Sequence, residues 1–145
     1  MSLHLDVSPV YVGLDHAIPC GLIANELVTN SLKHGFPDGR TGELRVSLGR
    51  TLEGLVRFEV SDTGVGLPDE FATKMGGSLG LQLVGDLTKQ LGGHLTIDPG
   101  PPARFAIQFS AADPGAPSLS GGLPAAPTPH ASDSYFAVGV SVASA

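Results

Sequence analysis

Glu26, Asn30, Lys33 and His34 fall at i, i+4, i+7 and i+8 in the run Glu26-Leu-Val-Thr-Asn30-Ser-Leu-Lys33-His34. If that run is helical, a carboxylate, an amide, an ammonium and an imidazole share one face. A second stretch, Asp62-Thr-Gly64-Val-Gly66, sets a carboxylate ahead of two glycines at alternate positions. Glycine there permits positive φ and lets a flat ligand come close to the backbone. A third, Gly77-Ser78-Leu79-Gly80-Leu81, leads from glycine-rich sequence into an apolar helical pattern. The free N–H groups and the dipole of such a helix start favour an anion. Together the three stretches can make a pocket with a metal-binding amide, one buried carboxylate and a flexible loop over phosphates.

Each stretch also has a plainer reading. A polar quartet opposite Leu22, Ile23, Leu27 and Leu32 is, taken alone, more often the solvated side of an amphipathic helix. Asn30 argues for more. Asn is a poor residue in mid-helix because its side chain competes for backbone hydrogen bonds. Its amide oxygen is a suitable hard ligand for Mg²⁺, which takes few protein ligands beside phosphates and water. An isolated Asp-x-Gly-x-Gly is common turn chemistry, and it lacks the further carboxylates of a calcium loop. The Gly-Ser entry is also what an ordinary helix N-cap needs.

These residues need a scaffold, and the periodicity supplies one. Leu3–Val7 alternates and reads as an edge strand. Asp15 is the expected N-cap of a helix running to about Lys33, with Pro19 near its start and Phe36-Pro-Asp-Gly39 as the turn that stops it. Leu44–Leu48 and Leu55–Val60 read as strands of a hairpin joined through Arg50–Gly54. Pro68–Gly77 is a loop. Leu79–Leu91 reads as a second helix with Leu83, Val84, Leu87 and Leu91 on one face, ended by Gly92-Gly93. His94–Asp98 and Arg104–Phe109 alternate and close the sheet. The expected architecture is α/β, a two-layer sandwich of a mixed β-sheet covered on one face by helices.

The chain has 145 residues, 41% of them hydrophobic, enough for one domain with a core. A formal net charge of -6 from eight basic and fourteen acidic residues argues against nucleic acid as a partner. The single cysteine, Cys20, excludes an internal disulfide, suits a reducing cytoplasm, and reads as a buried small hydrophobe. No apolar run approaches the roughly 20 residues of a transmembrane helix, and no basic-then-apolar opening suggests a signal peptide. The expected location is cytoplasmic, without membrane contact by this segment. Composition divides the chain into a body, residues 1–110, and a tail, residues 111–145, rich in Ala, Gly, Pro and Ser. Within the tail, Tyr135–Val142 is the one strand-like piece, expected to pack on an edge.

Taken together and in this order, the three stretches resemble the ATP-binding domain of the GHKL superfamily, that of gyrase, the heat-shock chaperone, histidine kinases and MutL. The wording is most similar to the catalytic domain of a bacterial two-component sensor histidine kinase. The resemblance covers about residues 3–110 and implies the Bergerat-type ATP-binding fold. It implies that Asn30 coordinates Mg²⁺, that Lys33 contacts phosphate and that His34 lies near the phosphates. Glu26 stands where related ATPases and anti-sigma kinases keep a general base and many histidine kinases have Asn. Asp62 takes the place of the carboxylate that accepts a hydrogen bond from the adenine amine, on the turn formed with Gly64 and Gly66. Ser78, Leu79, Gly80 and Leu81 match the second glycine motif. The intervening Asp69–Gly76 matches a short ATP lid, in which Lys74 is a candidate phosphate contact. There is one departure. The family has Gly-Thr-x-Phe near its last strand, with the Thr in the adenine network, whereas this chain reads Gly100-Pro-Pro-Ala103-Arg104-Phe105. Ala103 has no hydroxyl, and losing one neutral hydrogen bond weakens binding by roughly severalfold.

The activity this resemblance implies is transfer of the ATP γ-phosphoryl to a His on a separate dimerisation domain, with a response regulator downstream. None of the five histidines sits in a helical hairpin that could serve as acceptor, so the chain reads as a catalytic domain alone. An anti-sigma-type protein serine kinase, which also keeps Glu at position 26, and a non-catalytic ATP-sensing module are the alternatives.

Overall fold

The computed structural model describes residues 1–68, 78–112 and 136–137. Its main sheet has five strands in the order β1-β3-β4-β6-β5. These are β1 (Ser2–Val7), β3 (Glu43–Arg50), β4 (Val56–Asp62), β6 (Ala103–Phe109) and β5 (His94–Asp98). β1 runs parallel to β3, and every other pair is antiparallel, so the sheet is mixed as expected. Two helices, α1 (Leu14–Asn30) and α2 (Leu79–Gln90), pack together. α1 reaches β4 and α2 reaches β5.

The period-two pattern decides which face the helices cover. Val56, Phe58, Val60 and Asp62 of β4 pair with Phe109, Ile107, Phe105 and Ala103 of β6, and all eight are buried. Val56, Phe58, Val60, Phe105, Ile107 and Phe109 join Ile23, Leu27 and Val84 from the helices in the core. The alternate positions, Arg57, Glu59 and Arg104, lie on the opposite face, where Glu59 pairs with both arginines.

The start of α1 differs from expectation. Gly13, not Asp15, is the N-cap, and the Gly13 carbonyl accepts from the Ala17 N–H at 2.9 Å. Asp15 sits in the first turn, where a carboxylate suits the dipole, and pairs with His16. Pro19 is inside the helix and buried. At the far end helical backbone stops at Phe36, as expected, where φ is -127° and ψ 64°, but the last turn is not α-helical. After Asn30 it widens into a π-helical turn, Ser31–Gly35, followed by a 3₁₀ turn, Pro37–Gly39.

α2 begins at Ser78, whose hydroxyl accepts from the Leu81 N–H at 3.3 Å. It ends in a Schellman motif. Gly93 N–H donates to the Thr88 carbonyl and Gly92 N–H to that of Lys89, with Gly92 at φ 64°. The apolar face of α2 is narrower than its leucines suggest. Val84 and Leu91 are buried, but Leu83 is exposed, and Thr88 takes a buried place by donating its hydroxyl to the Val84 carbonyl at 2.7 Å. On α1, likewise, Ile23 and Leu27 are fully buried whereas Leu22 and Leu32 are exposed.

The first residues after β1 are tied to the hairpin by Arg50. Its guanidinium donates to the carbonyls of Gly54, Ala111 and Tyr11, joining three chain segments at one point. Within the tail, Phe136–Ala137 (β7) pairs antiparallel with Tyr11–Val12 (β2) in a two-stranded sheet separate from the main one, and the other residues of the expected piece Tyr135–Val142 lie outside the described residues. The rest of the tail from residue 113 on and the whole lid, Asp69–Gly76 with Lys74, lie outside the described residues.

Candidate functional site

β4 ends at Asp62, and the chain must turn there to leave the sheet. Asp62 Oδ1 accepts from the Gly64 N–H at 3.0 Å, an Asx turn that closes locally around the carboxylate. The turn is pressed against the π segment. Val65 N–H donates to the Gly35 carbonyl at 2.9 Å, and a Cβ on Gly64 would collide with that same carbonyl. Gly35 in turn lies so near Asp62 that a Cβ would stand 2.9 Å from Oδ1. Gly64 is therefore required for close approach, not for positive φ. Gly66 is the residue with positive φ, at 77°, and it packs on the carbonyls of Pro99 and Gly100. Leu67 N–H then donates to the Pro99 carbonyl, anchoring the chain before it leaves for the lid.

These contacts leave a cleft of about 430 Å³, most of its lining apolar. Val65, Leu67, Leu81, Ala103 and Phe105 provide the apolar surface. Asn30, Ser31, His34, Asp62 and Ser78 provide the polar groups. Apolar walls with a few convergent polar groups are the usual form of a small-molecule site. Asp62 is 3% exposed. Among the described residues the Gly64 N–H is its one hydrogen-bond donor, so the carboxylate keeps accepting capacity for a ligand. The Nδ2 atom of Asn30 is buried without a partner. That N–H₂ group, without a protein partner in a cleft lining, is free to donate to a polar ligand there.

The expected residues therefore divide. Asn30, His34, Asp62, Gly66, Ser78 and Leu81 line one cleft. Gly64 supports it from behind. Lys33 and Leu79 are exposed and lie outside its lining. Glu26 is half-buried one turn before Asn30, against the start of α2, where a Cβ on Gly80 would come within 2.5 Å of Oε2. Gly80 thus makes room for the Glu26 carboxylate beside the free N–H groups of that helix start. Ser31 was not singled out by its spacing. It is 3% exposed, lines the cleft, and its hydroxyl has no partner. Its signal lay in the sequence only as a polar residue at a buried helical position. Among the described residues no three of His, Cys, Asp and Glu gather to hold a metal ion. A cation at this cleft would draw its ligands mainly from phosphate and water, and the Asn30 amide oxygen is the lining group of the right chemistry to add one.

A mixed sheet with two helices on one face, and a cleft where the first helix meets the sheet end, defines an ATPase-type nucleotide fold. The family model for histidine kinase-, DNA gyrase B- and HSP90-like ATPases matches residues 16–113, and the chain belongs to that family. Within it, the similarity is to histidine kinase catalytic domains. The chain is 28% identical over 100 residues to blue-light-activated histidine kinase 2 of Erythrobacter litoralis (strain HTCC2594), covering 69% of this chain and 29% of that protein. The solved histidine kinase domain of a blue-light activated histidine kinase from Erythrobacter litoralis superposes with a TM-score of 0.70 at 27% identity. That match covers 74% of this chain and 50% of the other. The mycobacterial sensor histidine kinase MprB shares the fold, with a TM-score of 0.61 at 22% identity over 77% of this chain and 84% of that one. The chain thus spans about half or less of the Erythrobacter proteins it matches. No helix among the described residues is long and apolar enough to cross a membrane.

Proposed function

We propose that this chain is the Mg-ATP-binding catalytic domain of a sensor histidine kinase, passing the γ-phosphoryl of ATP to a His on a separate dimerisation domain. The observation that carries this reading is the Asp62 carboxylate, buried at the end of an apolar cleft with spare accepting capacity. Such a group suits the adenine amine. Guanine, with a carbonyl at the equivalent position, leaves the carboxylate facing another acceptor. Asn30 would hold Mg²⁺ through its amide oxygen. The ion, when bound, neutralises charge on the phosphates. His34, exposed at the cleft, lies on the phosphate side, and Lys33 and Lys74 are the remaining candidates for the outer phosphates. The work of this chain is to bind, orient and screen charge rather than to form a covalent intermediate. Glu26, against the first turn of α2, is better placed to hold that helix start than to act on a nucleophile.

The acceptor is a helical hairpin bearing the His, and a response-regulator Asp receives the phosphoryl afterwards. The setting is cytoplasmic. The kinship with histidine kinases favours this reading over a serine kinase or a nucleotide-sensing module. Trans-phosphorylation tests it: the chain is incubated with labelled ATP, Mg²⁺ and a panel of helical-hairpin domains. Acid-labile, base-stable label on a hairpin supports the proposal. Base-labile phosphoserine on a small antagonist protein, or saturable ATP binding with no transfer, overturns it in favour of the alternatives.

A further inference from the structure

Three polar side chains are buried among the described residues: Asp62, Thr88 and Ser31. Two are accounted for internally. Asp62 accepts from the Gly64 N–H, and the Thr88 hydroxyl donates to the Val84 carbonyl one turn back. The Ser31 hydroxyl does neither. A helical serine ordinarily can bond back to the carbonyl four residues earlier, as Thr88 does. A buried hydroxyl with no partner is destabilising unless something else satisfies it.

The surroundings of Ser31 say what that partner is. It opens the π-helical turn that ends at Gly35. Gly35, four residues on and on the same side, touches the Asp62 carboxylate. The Asp62 end of the cleft thus includes Gly35, and Ser31, also in the lining, stands one π-helical turn before it. Ala103, 1% exposed and in register with Asp62 across the sheet, lines that end as well and brings no polar atom. Of the other polar groups of the lining, His34 and Ser78 are exposed, while the Asn30 Nδ2 atom, like the Ser31 hydroxyl, is buried without a partner.

An adenine ring entering amine-first offers Asp62 its exocyclic N–H. The ring nitrogen beside that amine, N1, is an acceptor, and a carboxylate cannot serve it. The described lining holds two dry donors, the Ser31 hydroxyl and the Asn30 amide, and the ATP-binding reading gives Asn30 to the metal and phosphates. We infer that Ser31 is an adenine-reading residue, donating to N1 directly or through one water, and that it fills the role Ala103 cannot. The inference rests on the ATP-binding reading above and names the second polar contact of the same base edge. A bridging water serves nearly as well as a direct bond.

The test is calorimetric titration of the full chain and of Ser31→Ala with ATP and with 1-deaza-ATP. The analogue keeps the amine and replaces N1 by C–H. The native chain is expected to prefer ATP by about fivefold, the worth of one neutral hydrogen bond. Ser31→Ala is expected to bind ATP about fivefold more weakly and the analogue unchanged, so that the preference collapses. A merely structural role for Ser31 moves both affinities together and leaves the ratio intact; that result overturns the inference. Ser31→Cys keeps the volume with a much weaker donor, and the same ratio is read on it if the alanine variant does not fold. Failure of the native chain to bind ATP at all overturns the proposed function and this inference with it. ATP binding with a ratio indifferent to Ser31 overturns the inference alone.

Discussion

The Gly35 carbonyl and the Gly64 α-carbon are in such close contact that no side chain fits between them, while the same carbonyl accepts from the Val65 N–H at 2.9 Å. The end of the first helix and the turn after β4 are thereby one unit. Gly64→Ala forces a methyl into backbone that the neighbouring hydrogen bond holds in place. The expected loss is about 3 kcal/mol of stability, in the range of overpacked cores, with loss of ATP affinity because Asp62 moves with the turn. Urea midpoints of native and variant chains check the first part and calorimetry the second.

Asp62→Asn retains an oxygen for the Gly64 N–H and the size of the side chain, so the fold is expected to stand. It replaces the carboxylate that faces the cleft by an amide that presents a donor to the adenine amine. ATP affinity should fall about tenfold to a hundredfold, as for loss of a hydrogen bond to a charged group. Titration with ATP, alongside circular dichroism of the variant, decides it. An affinity equal to the native value would place base recognition elsewhere.

Asn30→Ala separates binding from stability. The Nδ2 atom is buried without a partner, so its removal is expected to leave the folded chain as stable as before, or more stable by about 1 kcal/mol. The enhancement of ATP binding by Mg²⁺ should disappear at the same time. Melting curves without nucleotide, and titrations with and without Mg²⁺, read the two effects independently. Mg²⁺-dependence that survives the substitution removes Asn30 as the metal ligand.

Cys20 gives a pH dependence. It is 5% exposed, and burial pushes its thiol up to about 11 from the ordinary 9.0. Below the unfolded value both states keep the proton, and the stability contributed by burying the neutral thiol is fully present. Between about 9 and 11 the unfolded chain ionises while the folded chain does not, so stability is lost as pH rises through this window. Cys20→Ala should be less sensitive than the native chain, the difference approaching roughly 2 kcal/mol near the top of the window. Denaturation midpoints of both chains at about pH 8 and about pH 10.5 measure it. Parallel curves would show that Cys20 does not titrate through folding.

The elements were legible because their signals are local. Alternation marks β3, β4, β5 and β6. A Ser N-cap and a Gly-Gly stop bracket α2, and the bracket agrees with the bonds observed at both ends. The wrong expectations arose where one helix face had to be chosen from spacing alone. Leu22, Leu32 and Leu83 are apolar in the right period, yet exposed. The sheet and the partner helix cover only part of each helix, and which part depends on crossing geometry that a period cannot encode. The Gly13 cap escaped because a glycine cap brings no side-chain hydrogen bond, and the π turn at Ser31–Gly35 because Gly35 is held by the distant Asp62–Val65 turn.

By itself the sequence determined the chemistry on offer: an amide in mid-helix, a carboxylate ahead of glycines, a glycine-rich helix start, and the order in which they come. Those are properties of residue type and short spacing. The tertiary structure decided which of them share a cleft. It set Glu26 against Gly80 rather than among the lining residues, left Lys33 outside, gave Gly64 a role in close packing, and buried Ser31 without a partner in the cleft that Asp62 and Ala103 also line. Residues 31, 62 and 103 of that lining come from three elements far apart along the chain. They come together only when the sheet pairs β4 with β6 and the end of α1 is pressed onto the turn, which no local pattern specifies.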